Sequence, residues 1–283
     1  MVTAAQARAM GISRGTLRGS QYRRVLGSVY VDSHVPVTSH VRAEAALMLT
    51  PGAVVSHQTA LSLWTGEDRP GTVHLTVQRD PHRTVPRVRG LRVHEVLELE
   101  VTTLNGLRLT PPARTFLDVA PYCDLTELVT AGDSLVRRTS ADPTHFVETA
   151  AAAVGVRGVR LAREAAALVR HGVDSPMESR LRLLLVLAGL PEPLIGHVIY
   201  DSDGGWLARP DLSYPDIKLA IEYDGQHHLV DIRQWRRDIR RRENLEHEGW
   251  RVRVITAHDL LHTPAAVLAR ITQDLDTRRH LAA

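Results

Sequence analysis

The segment Ile217–Asp224, which reads IKLAIEYD, constrains the fold more than any other part of the chain. Its middle is apolar at consecutive positions, a pattern typical of a strand buried on both faces of a sheet. The segment ends in Glu222 and Asp224, which are two residues apart and therefore lie on one face. Buried carboxylates are costly unless they are hydrogen-bonded, protonated or bound to a cation. The sequence thus predicts a central strand that carries two acids to one end of a sheet.

A third acid, Asp211, lies on the preceding strand candidate, Trp206–Tyr214. A hairpin between the two strands brings Asp211 beside Glu222, and three converging carboxylates form a hard-oxygen site suited to Mg²⁺ or Mn²⁺. Such an ion polarises a phosphodiester, helps to ionise water and stabilises the leaving oxygen. His227 and His228 follow closely and offer an imidazole as acid, base or ligand. The alternative is a solvent-facing acid cluster at the edge of a sheet.

The elements around these acids are predicted in the order αβββαβα. Ser175-Pro176-Met177-Glu178 opens the first helix with a cap, a proline and an acid at their preferred positions. The later elements are expected at Gly196–Tyr200, Trp206–Tyr214 and Ile217–Asp224 (strands), Ile232–Glu248 (helix), Gly249–Thr256 (strand) and after Pro264 (helix).

The N-terminal segment predicts a helix-turn-helix followed by a hairpin. Thr3 and Ser13 are placed to cap two short helices, Ala4–Met10 and a second one ending near Gly19. The apolar residues expected to form their small core are Ala5, Ala9, Ile12 and Leu17. Tyr22–Val31 follows as a hairpin, which is the order of a winged helix that lacks its usual first helix. A short helix pair within an ordinary fold is the alternative.

In a winged helix, the second helix reads bases and the hairpin contacts phosphates. The predicted base-reading residues are Ser13, Arg14, Thr16 and Arg18, and the predicted phosphate contacts are Arg23 and Arg24.

Residues 36–171 are expected to form a linking α/β domain without obvious chemistry. Its histidines, His57, His74, His82 and His94, do not follow metal-ligand spacing, and we interpret them as surface or packing residues.

Charge indicates a polyanionic partner, because basic residues are clustered. Lys218 is the only lysine, so arginines supply nearly all of the 35 basic residues. Residues 1–35 contain five arginines against one aspartate, and residues 233–243 contain six against two acids. Two local basic patches on a nearly neutral chain favour nucleic acid as a partner, although solvated helix faces look similar. In the second patch, the predicted DNA contacts are Arg236, Arg237, Arg240 and Arg241.

Length and composition exclude several classes of protein. A chain of 283 residues fits about two domains. Cys123 is the single cysteine, so neither an internal disulfide nor a thiolate-rich zinc site is possible. The chain has no apolar run of membrane-spanning length and its N-terminus lacks the pattern of a secretory signal. We therefore expect a cytoplasmic protein with no membrane partner.

Residues 175–260 resemble the Vsr-like (very short patch repair) endonucleases of the PD-(D/E)xK superfamily. The matching pieces are SPMESRLRLLL, RPDLSYPDIKLAIEYDGQHH and WRRDIRRRENLEHEGWRVRVIT with the following HDL. The N-terminal TAAQARAMGISRGTLRGSQYRRVLGSVYV similarly resembles the winged helix of AbiEi-type antitoxins. VVSHQTALSLW and LTPPARTFLDVA resemble the linking region of actinobacterial proteins that combine both parts.

The first resemblance implies roles for individual residues. Asp211 matches the motif aspartate and Glu222 the motif acid, so both are expected to bind the metal. Glu178 matches the glutamate of the first helix, although its place in a helix cap gives it a structural reason to be there. Asp224 occupies the position of the superfamily lysine, a departure shared with the Vsr-like branch, in which an imidazole assists. His228 is the residue expected in that role, with His227 second.

The sequence therefore predicts an α/β (α+β) protein with three parts. These are a truncated winged-helix segment at 1–35, a linking α/β domain at 36–171 and a nuclease-like domain at 172–283. The expected function is a DNA endonuclease dependent on Mg²⁺ or Mn²⁺, acting in DNA repair or phage defence. The alternatives are a non-cleaving regulator or antitoxin of abortive-infection type with a toxin or repair partner, and an RNA-processing nuclease. An aromatic content of 4% gives little support to the stacking on single strands that an RNA nuclease needs.

Overall fold

The structure is a computed structural model that describes residues 1–68, 70–225 and 232–282, without the side chains of 232–239 and 281–282. It is mixed α/β with several sheets, which confirms the predicted fold class. The chain divides into two compact units, Met1–Leu168 and Val169–Ala283. This division lies three residues before the boundary predicted at 171/172.

Unit 1 combines a small N-terminal sheet, a larger sheet and a group of helices. Its elements are β1 (Val2–Thr3), α1 (Ala4–Ala9), α2 (Arg14–Arg18), β2 (Tyr22–Leu26), β3 (Val29–Asp32), α3 (Ser39–Leu49), β4 (Val54–Val55), α4 (His57–Thr65), β5 (Val73–Gln78), β6 (Leu91–Val96), β7 (Thr102–Leu104), β8 (Leu107–Leu109), α5 (Pro112–Val119), α6 (Leu125–Thr139), α7 (Pro143–Ala152) and α8 (Val159–Ala166).

The N-terminal segment has the predicted helices and hairpin. Thr3 caps α1 in a reciprocal capping box with Gln6, and Ser13 caps α2 by accepting a hydrogen bond from the Thr16 backbone N–H. The hairpin of β2 and β3 gains a third strand, β1, which pairs with β3. This strand was not predicted, because two residues carry no periodicity.

The small core of these helices differs from the expectation. Ala7 and Leu17 are buried, whereas Ala5 and Ala9 are exposed. In a helix of six residues rich in alanine, apolar spacing does not distinguish the inner face from the outer one. The nearby hairpin residues Leu26 and Val29 belong to the same buried cluster as residues of α3 and the larger sheet. This core extends across the boundary predicted at 35/36.

The larger sheet of unit 1 has the strand order β6-β5-β4-β8-β7. The β5–β6 pair is parallel and in register from Val73↔Leu91 to Gln78↔Val96. Helix α4 begins immediately after β4, next to β5. This topology brings the start of α4 close to the middle of β5 and β6.

Unit 2 contains the elements that were predicted to form the nuclease-like domain. They are α9 (Pro176–Leu187), β9 (Leu194–Ile195), β10 (Ile199–Tyr200), β11 (Trp206–Ala208), β12 (Leu212–Tyr214), β13 (Leu219–Asp224), α10 (Ile232–His247), β14 (Arg251–Thr256), α11 (Ala257–His262) and α12 (Pro264–Ala282). The main sheet has the order β14-β13-β12-β9, with β13 and β14 parallel. A separate β10–β11 hairpin is inserted between β9 and β12.

The strand predicted at Trp206–Tyr214 is two strands in two different sheets. The break falls at Arg209 and Pro210, because proline has no N–H to donate to a strand ladder. The strand predicted from Ile217 begins only at Leu219. Pro215–Ile217 form a short 3₁₀ turn, and Lys218 follows with a left-handed φ of 50°.

The main sheet of unit 2 is anchored by α9. The Ser175 side chain accepts a hydrogen bond from the Glu178 backbone N–H, which caps the helix as predicted. Leu181 and Leu185 of α9 are fully buried against a cluster that includes Leu212 and Ile221 of the sheet. This packing fixes the first turn of α9 close to the end of β13 that carries the acids.

None of the described helices is both long and apolar enough to span a membrane.

Candidate functional site

The main sheet of unit 2 brings Asp211 to Glu222. Leu212 pairs with Ile221 in the antiparallel β12–β13 ladder, so the preceding residue, Asp211, lies beside Glu222. Asp211 Oδ2 accepts a hydrogen bond from the Tyr223 backbone N–H at 2.6 Å. The expected proximity of these two acids is therefore present, and it arises from strand register.

Asp211 is held in a partly buried environment surrounded by other acids. Burial, and then the carboxylates of Glu178, Glu222 and Asp174, raise the pKa of Asp211 from 3.8 to about 6, against the opposing effect of the Tyr223 hydrogen bond. Clustered negative charge of this kind is relieved by a proton or by a cation. The arrangement suits a divalent metal by charge and by ligand type.

Glu178 lies on the first turn of α9 and is buried. Its carboxylate accepts a hydrogen bond from the Asp174 backbone N–H at 2.9 Å, one residue before the helix cap. The same carboxylate raises the pKa of Asp211. Glu178 therefore has a structural partner and also lies close enough to Asp211 to affect its pKa.

The other two acids of the segment differ in their contacts. Glu222 forms an ion pair with Arg241 of α10, with an N–O distance of 3.2 Å. Asp224 is half-buried at the end of β13, on the same face as Glu222. A second ion pair joins Arg209 to Asp174, also with an N–O distance of 3.2 Å. Glu222 and Asp174 are thus each paired with an arginine.

Several predicted residues lie outside the described part of the chain. His227 and His228 fall in the segment that the structure does not describe, and the side chains of Arg236 and Arg237 are likewise outside it. Arg240 is described and exposed on α10.

The predicted DNA-contacting residues of unit 1 are all exposed. Ser13, Arg14, Thr16 and Arg18 lie on or just before α2. The hydroxyls of Ser13 and Thr16 are hydrogen-bonded to each other at 2.9 Å, and Arg23 donates to the Ser33 carbonyl at 3.1 Å. Arg23 and Arg24 are adjacent on β2 and so point to opposite faces of the hairpin.

A cluster that the sequence did not predict lies in unit 1. Among the residues that the structure describes, the imidazoles of His57, His74 and His94 form a set whose ligand atoms all lie within 4.8 Å of one another. The rings of His57 and His94 are stacked with centroids 3.7 Å apart, and His74 Nδ1 is 3.0 Å from His94 Nε2. These histidines were interpreted as surface or packing residues: His57 and His74 are buried and His82 is exposed, but the meeting of three of them was not predicted from their spacing.

Strand pairing explains why linear spacing gave no signal for this cluster. His74 and His94 lie on the parallel strands β5 and β6, and His57 is the first residue of α4. His74 and His94 are 20 residues apart in sequence because parallel strands need a long connecting segment. This spacing matches no local metal-ligand motif. A sequence signal was available only in the shared alternation of VHLTV and LRVHE, which places one histidine on each strand.

Comparison with known proteins identifies two relatives in Mycobacterium tuberculosis. The uncharacterized protein Rv2248 of strain ATCC 25618 / H37Rv is 30% identical over 227 residues, which cover 80% of this chain and 83% of the relative. The uncharacterized protein MT2308 of strain CDC 1551 / Oshkosh matches with the same values. No protein-family model matches the chain.

Among solved structures, the crystal structure of the RV2827C protein from Mycobacterium tuberculosis aligns with a TM-score of 0.39 and 11% identity. The alignment covers 71% of this chain and 83% of that chain. A similarity of this size carries no argument about fold or function.

Proposed function

We propose that this chain, which belongs to the family of the Mycobacterium tuberculosis proteins Rv2248 and MT2308, is a metal-dependent DNA endonuclease. The hydrolytic site lies in unit 2, in the part of the chain that resembles the Vsr-like endonucleases. Unit 1 delivers it to DNA through a helix-turn-helix similar to the winged helix of AbiEi-type antitoxins. A DNA substrate implies a cytoplasmic protein.

One observation carries the proposal: Asp211 lies beside Glu222 at the end of a buried strand, with Glu178 and Asp174 close enough to raise its pKa. A fold gains nothing in stability by collecting acids around a half-buried carboxylate. Such a collection is typical of sites that bind a divalent cation.

Asp211 and Glu222 are the residues that would hold Mg²⁺ or Mn²⁺. The ion, when bound, supplies charge stabilisation for phosphodiester hydrolysis. Asp224, on the same face of β13 as Glu222, adds negative charge to the same side of the site. Arg240 and Arg241 follow on α10 and are suited to bind the phosphates that flank the cut.

The resemblance assigns proton transfer to His228. An imidazole titrates near neutral pH and can take a proton from the attacking water or give one to the leaving oxygen. We predict that His228→Ala slows cleavage by about 10²–10⁴-fold, the usual contribution of a general acid or base. The control is His247→Ala, which removes an exposed imidazole at the end of α10. Equal rates for His228→Ala and wild type would remove His228 from the mechanism.

A second candidate function is a DNA-binding regulator of antitoxin type that does not cleave. The ion pair between Glu222 and Arg241 favours it, because an arginine on a metal ligand competes with the metal. In that case the acid cluster is neutralised by protein side chains, and a toxin is the partner to seek.

The test is an incubation of the purified full chain with supercoiled, linear, mismatched and single-stranded DNA, with Mg²⁺, with Mn²⁺ or with a chelator. The endonuclease predicts cleavage of duplex DNA that requires the metal. Binding to duplex DNA without cleavage of any substrate under any condition contradicts the endonuclease and supports the regulator. Cleavage of single-stranded RNA in preference to all of these DNAs contradicts both.

A further inference from the structure

We propose that His57, His74 and His94 of unit 1 form a zinc site, separate from the acid cluster of unit 2. The three imidazoles come from the start of α4 and from the neighbouring strands β5 and β6. Their ligand atoms lie within 4.8 Å of one another, and His74 Nδ1 and His94 Nε2 are hydrogen-bonded at 3.0 Å. Two nitrogens bound to one tetrahedral zinc lie about 3.4 Å apart, given zinc–nitrogen bonds of about 2.0–2.1 Å.

Burial lowers the pKa of all three imidazoles. Burial, followed by the neighbouring His94 and His74, lowers the pKa of His57 to about 2. Burial is also the first cause that lowers the pKa of His74 and of His94 to about 4.

His57 has a strained backbone conformation. His57 has a φ of 52°, a left-handed conformation that is uncommon for residues with a side chain. Such outliers persist where the surrounding structure holds them, and they concentrate at functional sites. The His57 ring stacks on the His94 ring, with 3.7 Å between the ring centroids.

Contacts with neighbouring oxygen atoms orient the His57 ring. The Ser56 hydroxyl lies 2.9 Å from His57 Nδ1 and accepts a hydrogen bond from Thr76. Asp118 Oδ2, on α5, lies 4.0 Å from the same nitrogen, is buried, and has no hydrogen-bond partner within the described residues. Metal-binding histidines characteristically give their other ring N–H to a carboxylate or a similar oxygen. Nδ1 is directed to these oxygens, which leaves Nε2 as the metal ligand.

Two arginines, Arg114 and Arg92, lie near the cluster, and, in addition to burial, both lower the pKa of His57. Arg114 is neutralised by Asp118 at 2.9 Å and by Glu100 at 3.6 Å. Arg92 is exposed, and its guanidinium lies over the ring of Tyr122, 5.9 Å from the centroid. Burial raises the pKa of Asp118 to about 6.

Ligand chemistry selects zinc over the ions expected in unit 2. Imidazole nitrogens suit Zn²⁺ and its neighbours in the first transition series, whereas Mg²⁺ prefers carboxylate oxygens. Three protein ligands leave the fourth tetrahedral position of zinc to water or to a ligand from solution. The site therefore has the donor set of a zinc centre that is open to exchange.

The experiment is calorimetry of the chelator-treated full chain with ZnCl₂ and, separately, with MgCl₂. We expect one Zn²⁺ per chain at this site, weakened more than about 100-fold by His74→Gln or His94→Gln, because even residues that only orient a ligand contribute 10–100-fold. Asp118→Asn is expected to weaken binding about 10–100-fold. His82→Gln, which removes an exposed histidine of the same unit, and Asp211→Asn in unit 2 should both retain this Zn²⁺.

Two results would overturn the zinc site. The first is the absence of stoichiometric Zn²⁺ binding to wild type, and the second is undiminished binding by folded His74→Gln and His94→Gln. If both variants fail to fold by circular dichroism, chemical modification of wild-type histidines decides the question. Zn²⁺ must then protect His57, His74 and His94 from carbethoxylation, and equal modification of these residues with and without Zn²⁺ refutes the site.

Discussion

At the scale of single residues, Asp211 connects the fold to the proposed chemistry. Its pKa of about 6 in the folded chain lies above the value of 3.8 for a free aspartate, mainly because of burial. The folded state therefore binds a proton that the unfolded state releases between these pH values. The stability that this proton contributes is complete below pH 3.8 and is lost as the pH rises through 6.

We predict that Asp211→Asn stabilises the metal-free chain at pH 8 by about 1–2 kcal/mol, since one pKa unit corresponds to about 1.4 kcal/mol and solvent screening reduces the shift. The gain should disappear near pH 3.5, where both chains are uncharged at this position. Urea unfolding at the two pH values, in the presence of a chelator, measures it. A loss of stability at pH 8 would show that the charged form of Asp211 is favoured by the fold.

The residues of the acid cluster could be predicted because their signal is local. Alternation along one strand placed Glu222 and Asp224 on one face, and the short chain between two strands placed Asp211 opposite. His57, His74 and His94 could not be predicted in this way. Their meeting depends on a parallel strand pair and on the start of a helix, which are properties of the topology.

At the scale of elements, the first turn of α9 positions Glu178. Replacing Ser175 by alanine removes the oxygen that accepts the Glu178 N–H, and loss of an N-cap typically costs about 1 kcal/mol. We predict that Ser175→Ala lowers the free energy of unfolding by this amount in denaturant titrations. Ser202→Ala, in an exposed turn of the same unit, is expected to stay within about 0.5 kcal/mol of wild type. Equal effects of both substitutions would contradict the capping role.

The hairpin of β2 and β3 is the second element with a testable role. Each phosphate neutralised on duplex DNA contributes about −0.9 to the slope of log K against log salt. We predict that replacing Arg23 and Arg24 together by alanine flattens this slope by about one to two units. A change of about one unit in the slope is expected if Arg23 keeps its hydrogen bond to the Ser33 carbonyl and does not contact a phosphate.

The matched control for the hairpin is the pair Arg157→Ala and Arg160→Ala, which removes the same charge from exposed positions elsewhere in unit 1. Fluorescence anisotropy at several salt concentrations gives both slopes. An unchanged slope and affinity in the Arg23 and Arg24 variant excludes the hairpin from the DNA interface.

The boundaries of helices and strands were only partly predictable from the sequence. The caps at Thr3, Ser13 and Ser175 are confirmed, because a cap depends on residues within one turn. Trp206–Tyr214 has the composition of one strand, but Pro210 interrupts the ladder and the two halves join different sheets. Apolar composition alone does not reveal such a change of partner.

At the scale of the whole molecule, two compact units carry different chemical groups. Unit 1 presents the exposed residues of the helix-turn-helix and the three clustered histidines, and unit 2 presents the acid cluster bordered by Arg209 and Arg241. The α+β class was predictable, and so were the longer elements of unit 2, because each has its own periodicity. The first strand of the main sheet, β9, was not predicted, since the strand expected at Gly196–Tyr200 corresponds to β10 of the separate hairpin. That the hairpin and α3 share one hydrophobic core was not predictable, because no local sequence pattern indicates it.

The central claim is that unit 2 hydrolyses DNA with a metal held by Asp211 and Glu222. Its most direct test is the rate of Mn²⁺-dependent nicking of supercoiled DNA by wild type, by Asp211→Asn and by Asp203→Asn. The last variant is the control, because it removes an equal charge from an exposed turn of the same unit. Calorimetry with Mn²⁺ and circular dichroism accompany the assay to separate loss of metal from loss of fold.

The account predicts that wild type and Asp203→Asn nick DNA at equal rates. Asp211→Asn should be folded, should bind DNA as well as wild type or better because repulsion of phosphate falls, and should have no measurable nicking. Nicking by Asp211→Asn at the wild-type rate would contradict the account and assign the activity to another site.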